Sequence, residues 1–246
     1  MVRLLLHAAA LTTCTLLFGL PAIIASLVMP GGSSFRWFAR PWARCIASTC
    51  RVRVRGAGLE RIPRAGACIY MSNHQSHFDV VALLTLLPGS YAILAKRELF
   101  FIPVFGWALW LAGMIPIDRS RRDLAIRSIE RAAAKVRSGR RLLVFAEGTR
   151  SGDGRLLPFK KGGFHLALQA AAPIIPISIS GSREVLPKGS LRIQPGTIQV
   201  AVGERILTSG RGTGDLSELI AETRAAIEAG LVSENPAGGL SPLFWG

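Results

Sequence analysis

The segment Ser72-Asn73-His74-Gln75-Ser76-His77-Phe78-Asp79 sets an imidazole and a carboxylate five residues apart. On one continuous helix that spacing turns them about 140° from each other, out of reach. If a turn intervenes, with Ser76 as N-cap, His74 lies in a loop and Asp79 in the first helical turn, from which its carboxylate reaches the ring. A histidine so held is a general base, because the carboxylate fixes the tautomer and stabilises the imidazolium that forms when the ring takes a proton. Ser76-x-x-Asp79 equally fits a capping box in which Asp79 serves only backbone N–H groups. The spacing leaves both readings open. His77 reads as structural or pocket-lining, since H-x-x-H is not the i, i+4 pair a helix uses for a metal and no third ligand is in view. Neither a metal nor a cofactor is expected.

A second constellation is Leu143-Val144-Phe145-Ala146-Glu147-Gly148-Thr149-Arg150-Ser151, a strand running into a turn. Gly148 permits a tight turn, and Arg150 offers a planar fork suited to a phosphate monoester. A solvated turn carrying a Glu and an Arg fits the same residues. The third, Lys96-Arg97-Glu98-Leu99-Phe100-Phe101-Ile102-Pro103-Val104-Phe105-Gly106, leads into the apolar run Trp107 to Ile115. Basic residues beside such a run would hold a phosphate next to an acyl chain, or the run is simply a core helix. G-x-S-x-G, a Walker A loop, H-E-x-x-H and a G-x-G-x-x-G after a strand are all absent from the sequence. Serine hydrolase, P-loop NTPase, zincin and Rossmann dehydrogenase therefore lose support.

These segments must be positioned by an α/β core, for which 246 residues suffice. Ala67 to Met71, Tyr91 to Ala95, Met114 to Ile117, Arg141 to Ala146, Ile174 to Ser180 and Gln194 to Val202 read as strands, with Glu204 to Ile206 closing the sheet. Asp79 to Leu87, Arg122 to Arg137, Phe164 to Ala171 and Asp215 to Leu231 read as helices. The Gly/Pro-containing tail after Asn235 reads as an untidy terminus.

Ahead of this core, no Asp, Glu, Lys or Arg occurs from Leu4 to Met29, about the length that spans a hydrocarbon layer. The mixed Trp and Arg of Ser34 to Arg44 fit an interfacial helix. Arg51, Arg53 and Arg55 extend that positive flank, and the positive-inside bias puts the rest of the chain in the cytoplasm. The expected organisation is a membrane-associated helical segment, 1–49, followed by a catalytic domain, 50–246, at the cytoplasmic face of the membrane. Half of the residues are hydrophobic and the formal charge is +15. With only two Tyr, that combination favours an anionic lipid surface over nucleic acid. Cys14, Cys45, Cys50 and Cys68 show no C-x-x-C pairing and read as reduced, buried thiols.

The ordered set His74-x-x-x-x-Asp79, Lys96-x-x-Leu99-x-x-x-Pro103-x-x-Gly106, Phe145-Ala146-Glu147-Gly148-Thr149-Arg150 and Ala172-Pro173-Ile174-Ile175-Pro176-Ile177 resembles the glycerolipid acyltransferase family, and within it the bacterial 1-acylglycerol-3-phosphate acyltransferases. The likeness covers roughly Gly56 to Ile206, with Ala146 departing from the family's usual proline. It implies a mixed β-sheet flanked by helices, preceded by a membrane-docking helical pair bent at Gly19 and Pro21. It also implies transfer of a fatty acyl group from acyl-CoA or acyl-carrier protein to the 2-hydroxyl of lysophosphatidic acid. In that mechanism His74 is the base and Asp79 its orienter, while Glu147, Gly148, Thr149 and Arg150 bind the glycerol phosphate and Lys96 and Arg119 assist. Another acceptor, such as glycerol 3-phosphate or a lyso-ornithine lipid, would keep the same chemistry. A non-enzymatic membrane-binding module would keep the charge and the apolar segment, but would have no use for His74 and Asp79.

Overall fold

The computed structural model of the chain describes residues 2–28, 35–118 and 121–231. Two apolar-rich helices, α1 (Val2–Val28) and α2 (Phe35–Thr49), lead into an alternating α/β region. Its strands are β1 (Val52–Ala57), β2 (Ile69–Ser72), β3 (Tyr91–Lys96), β4 (Ile115–Ile117), β5 (Arg141–Phe145), β6 (Ile174–Ser180) and β7 (Gly196–Val202). Its helices are α3 (Phe78–Leu86), α4 (Phe105–Leu111), α5 (Arg122–Arg137), α6 (Lys161–Ala170), the single turn α7 (Ser182–Val185) and α8 (Leu216–Ala229).

The strands form one sheet in the order β1-β7-β6-β2-β5-β3-β4. Five neighbours run parallel, from β6 through β4, whereas β7 is antiparallel to β6 and carries β1 parallel to itself. The C-terminal ends of β2, β5, β3 and β4 therefore share one edge, the place where open α/β sheets bind ligands. Side-chain alternation divides the core in two. Tyr70, Leu143 and Phe145 face the layer of α2, α3 and α4, while Ile69, Met71, Leu142 and Val144 face α5, α6 and α8.

Arg122–Arg137 and Ile174–Ser180 have the ends the sequence indicates. Three expectations change. Residues Glu204 to Ile206 supply only an isolated bridge, Ile174 to Ile206, and the sheet is closed by β1 against β7. The helix expected from Phe164 begins earlier, at Lys161. The helical pair does not divide at Gly19 and Pro21: α1 is helical through both residues, and the pair is α1 with α2. A continuous helix suits an apolar segment, since a break would strand backbone N–H and C=O groups away from water. The tail after Asn235 lies outside the described residues.

Residues His7–Val28 are long and apolar enough to cross a membrane, and Leu17, Ile24, Leu27 and Val28 are exposed. By contrast α2 is part of the sheet's cover, with Ala43, Ile46 and Ala47 buried against α3 and β1. The apolar run after Gly106 is only half a core helix. Ala108 and Leu109 of α4 are buried, but Trp107 and Trp110 are exposed beside Phe101 and Ile102, and α4 packs against α1. Gly106 is required where it stands, because a Cβ there would run into the Phe100 carbonyl. The preceding Val104 has φ 63° and ψ −57°, with the Phe105 N–H bonding back to the Pro103 carbonyl, a γ-turn of the strained kind.

Candidate active site

β2 ends at Ser72, and the chain crosses the catalytic edge as Asn73 to His77 before entering α3. Asn73, fully buried, fixes the start of this crossing. Its amide donates to the Ile179 carbonyl (2.9 Å) and accepts from the Ile179 N–H (2.8 Å), so it continues the pairing to β6 beyond the last residue of β2.

His74 is then held from four sides. Its Nδ1 donates to Asp79 Oδ2 (2.7 Å), its N–H donates to Glu147 Oε1 (2.7 Å), and its carbonyl accepts from the Ser151 N–H (2.8 Å). Its ring stacks on Phe145, with centroids 3.9 Å apart and planes 16° apart. With Nδ1 committed as a donor to a carboxylate, Nε2 is the basic nitrogen.

Asp79 answers the question the spacing left open, because it fills both roles at once. The fully buried carboxylate accepts through Oδ2 from His74 Nδ1, the Gln75 N–H (2.7 Å) and the Ser76 N–H (2.9 Å). Ser76 Oγ accepts in turn from the Phe78 N–H (3.2 Å) and donates to the Leu186 carbonyl (2.8 Å). The N-cap of α3 is His77, one residue later than the sequence suggests, and the Ser76-x-x-Asp79 box is only half made: Asp79 takes the Ser76 N–H, but Ser76 Oγ takes the Phe78 N–H instead of that of Asp79. Asp79 Oδ1 has no hydrogen-bond partner among the described residues.

Glu147 lies at the end of β5, 1% exposed, with both oxygens spent on backbone: Oε1 on His74 and Oε2 on the Leu157 N–H (2.9 Å). Burial raises its pKa above the usual carboxylate range, against the lowering effect of those two bonds. Its carboxylate braces the histidine loop from below. Gly148, at φ 68°, turns the chain out of the strand. Thr149 is exposed and Arg150 half-buried. The loop beyond them is fastened from α7 and its sequel, where Lys188 Nζ donates to the Arg150 carbonyl (2.8 Å) and Arg183 Nε to the Gly152 carbonyl (3.2 Å). No described residue bonds the Arg150 guanidinium. Desolvation holds the His77 imidazole below its ordinary pKa, and the charges of Arg150 and His74 push in the same direction.

Lys96 closes β3 on the same edge but is exposed and, among the described residues, paired only with Glu98 (3.3 Å). Arg119 lies outside the described residues. Asn73, Gln75 and Ser151 are the site residues to which the sequence assigns no role. All are buried polar residues in loops, and each has a partner distant in the chain: Ile179 for Asn73, Gly154 for Gln75 and His74 for the Ser151 N–H. Among the described residues no cluster of three His, Cys, Asp or Glu could hold a metal ion.

The acyltransferase family model matches residues 51–180, which take in the whole of this edge from Asn73 to Arg150. The chain belongs to the acyltransferase family. A 1-acyl-sn-glycerol-3-phosphate acyltransferase from Pseudomonas aeruginosa is 30% identical over 96% of the chain and 92% of its own length. The human 1-acyl-sn-glycerol-3-phosphate acyltransferase alpha is 41% identical over 71% of the chain. The match spans 61% of that human relative and 44% of a chloroplastic one from Brassica napus. Among solved structures, the 1-acyl-sn-glycerophosphate (LPA) acyltransferase PlsC of Thermotoga maritima superposes with a TM-score of 0.80 at 26% identity, covering 93% of this chain and 95% of that one. Mixed sheet, flanking helices and N-terminal helical pair thus make up one family fold.

Proposed function

We propose that this family member transfers a fatty acyl group from an acyl thioester, on CoA or on acyl-carrier protein, to the 2-hydroxyl of 1-acylglycerol 3-phosphate, giving phosphatidic acid. The observation that carries the reading is the His74 imidazole, locked by a buried carboxylate with Nε2 as its basic nitrogen. An alcohol is a poor nucleophile until a base takes its proton, whereas a thioester carbonyl is already activated. His74 Nε2 removes the hydroxyl proton as the oxygen bonds to the carbonyl carbon. The tetrahedral intermediate collapses with cleavage of the C–S bond, and the imidazolium returns the proton to the departing sulfur. Asp79 stabilises the imidazolium, and Glu147 acts as a positioning residue through the His74 backbone. Arg150 presents a bidentate fork to the phosphate, with Thr149, the Gly148 backbone and Lys96 around it.

An apolar cavity lies on the face of the sheet toward which the His74 ring and Phe145 turn. Phe18 and Gly19 of α1, Val80 of α3, Ile93 of β3, Val104 and Met114 are among its walls. It suits an acyl chain entering from a bilayer. Residues His7–Val28 and the exposed Trp107 and Trp110 support membrane residence, and the arginines that follow α1 support a cytoplasmic catalytic face.

The test is acyl transfer by the purified full chain from labelled acyl-CoA and acyl-carrier protein. The acceptors offered are lysophosphatidic acid, glycerol 3-phosphate and a lyso-ornithine lipid. Preferred turnover of lysophosphatidic acid is expected. Preference for another acceptor would reassign the substrate, and no transfer from either donor would refute the reading.

A further inference from the structure

At the edge of the sheet opposite His74, a groove of about 290 Å³ runs between α2 and the connection from α3 to β3. Tyr91, the first residue of β3, forms its inner wall, and Arg40 and Trp37 of α2 form its rim. Tyr91 is 8% exposed, its ring packs edge-on against Tyr70, and its hydroxyl has no hydrogen-bond partner among the described residues. A buried hydroxyl left unsatisfied is costly and calls for a partner.

The charged residue that shares the groove with Tyr91 is Arg40, which is exposed. Arg40 spends Nε on the Thr85 carbonyl (3.0 Å), with no other described residue bonded to its guanidinium. Behind the groove, Arg141 is 9% exposed and bonds only neutral acceptors: the Pro63 and Gly66 carbonyls and the Tyr70 hydroxyl. Its Nη1 faces Gly89, which lines the groove. Among the described residues no acidic side chain lines the groove and no carboxylate pairs with either arginine. An arginine without a counter-charge in a groove that also holds an unsatisfied hydroxyl suits an anion.

The rest of the lining says which anion. Leu84, Leu87 and Ala39 give the groove an apolar floor, and Trp37, 60% exposed, stands at its mouth. α2 directly follows the helix that is long enough to cross a membrane, so this mouth lies where headgroups and indole rings meet.

We propose that this groove is a second, non-catalytic lipid site that binds the phosphate of an anionic glycerophospholipid through Arg40 and the Tyr91 hydroxyl. The lipid's glycerol and ester region rests on Leu84 and Leu87. Occupancy ties α2 to the end of α3 and holds this edge of the sheet at headgroup depth, independently of turnover at His74.

The test is native mass spectrometry of the detergent-solubilised full chain, titrated with dihexanoyl phosphatidylglycerol, dihexanoyl phosphatidylcholine or inorganic phosphate. An Arg150→Ala background weakens lipid binding at the catalytic edge. One phosphatidylglycerol is expected to bind, with phosphatidylcholine much weaker and inorganic phosphate unable to displace it. Tyr91→Phe and Arg40→Gln should each weaken binding roughly tenfold or more. Tyr91→Phe keeps the ring against Tyr70 and removes only the unpartnered hydroxyl, so it carries the test even if Arg40→Gln fails to fold. In an otherwise wild-type chain, Tyr91→Phe should leave acyl transfer unchanged. Undiminished phosphatidylglycerol binding by Tyr91→Phe, or equal binding of phosphatidylcholine, would overturn the site. Displacement by inorganic phosphate would overturn its assignment to lipid. If Arg40→Gln lowers only thermal stability, Arg40 is no more than a cap on α3.

Discussion

The two halves of the catalytic edge are built on opposite principles. Around His74, buried polar groups at strand ends, at a helix start and at the Ser151 loop fix the backbone, the tautomer and the ring plane. By contrast Lys96 is exposed, the half-buried Arg150 has no described partner for its guanidinium, and the Arg150 loop is fastened through the Arg150 and Gly152 carbonyls. The difference is what the proposed chemistry asks for. A proton acceptor must already be in place when the bond forms, since a small misplacement is felt in the rate. Cations that receive a lipid phosphate need only converge on it, and they keep the freedom to follow a mobile headgroup.

Substitutions should divide along this line. Asp79→Asn breaks the rigid half most severely. It keeps the shape and part of the cap but removes the charge that fixes and stabilises the imidazole, so kcat should fall about 10³-fold or more while the melting temperature moves by only a few degrees. Steady-state acyl transfer together with a thermal melt checks both. Glu147→Gln should come next, because an amide cannot accept from the N–H groups of both His74 and Leu157. A loss of about 1–3 kcal/mol of stability and a fall of roughly ten- to a hundredfold in kcat are expected, with KM little changed. The same variant has a pH signature. Burial raises the Glu147 pKa, so above the ordinary carboxylate value the folded protein holds a proton that the unfolded chain has released. Stability must then fall as pH rises through that window, and denaturation midpoints of the Gln variant should lose this slope.

In the compliant half the effects should be smaller and should appear in binding. Arg150→Ala should raise the KM for lysophosphatidic acid roughly tenfold or more with kcat largely kept, and Arg150→Lys should restore part of it, having the charge without the fork. A kcat collapse in Arg150→Ala with unchanged KM would erase the distinction between the halves. Lys96→Ala should cost the least, no more than a few-fold in KM, and that cost should fade at high salt because the side chain is exposed. Initial rates at two ionic strengths measure it.

What the sequence made legible was local. Helix α5 and strand β6 were marked by periodicity and by Gly and Pro punctuation, and the pairing of His74 with Asp79 required only that a turn fall at Ser76. What it hid was distant. Glu147 reads as a substrate-binding residue until β5 lies beside β2 and its carboxylate meets a backbone N–H 73 residues away. Asn73 meets Ile179 across 106 residues, and no spacing rule announces such a contact. Arg51, Arg53 and Arg55 read as a positive flank, yet their alternation with Val52 and Val54 is that of a strand with one buried face, and β1 is one of the sheet's two edge strands. The charges masked a period-two pattern. The apolar run through Trp107 and Trp110 misled in the opposite sense, since hydrophobicity alone does not tell a core from a surface that meets lipid.

The account rests on His74 as the proton acceptor in acyl transfer, and one measurement bears on it most directly. Single-turnover transfer from a labelled acyl thioester to lysophosphatidic acid should be followed with folded His74→Ala protein in the membranes or detergent used for the wild type. The rate should fall by about 10²- to 10⁴-fold, the range of a lost general base, with lysophosphatidic acid binding retained through Arg150. A single-turnover rate within a few-fold of wild type would contradict it.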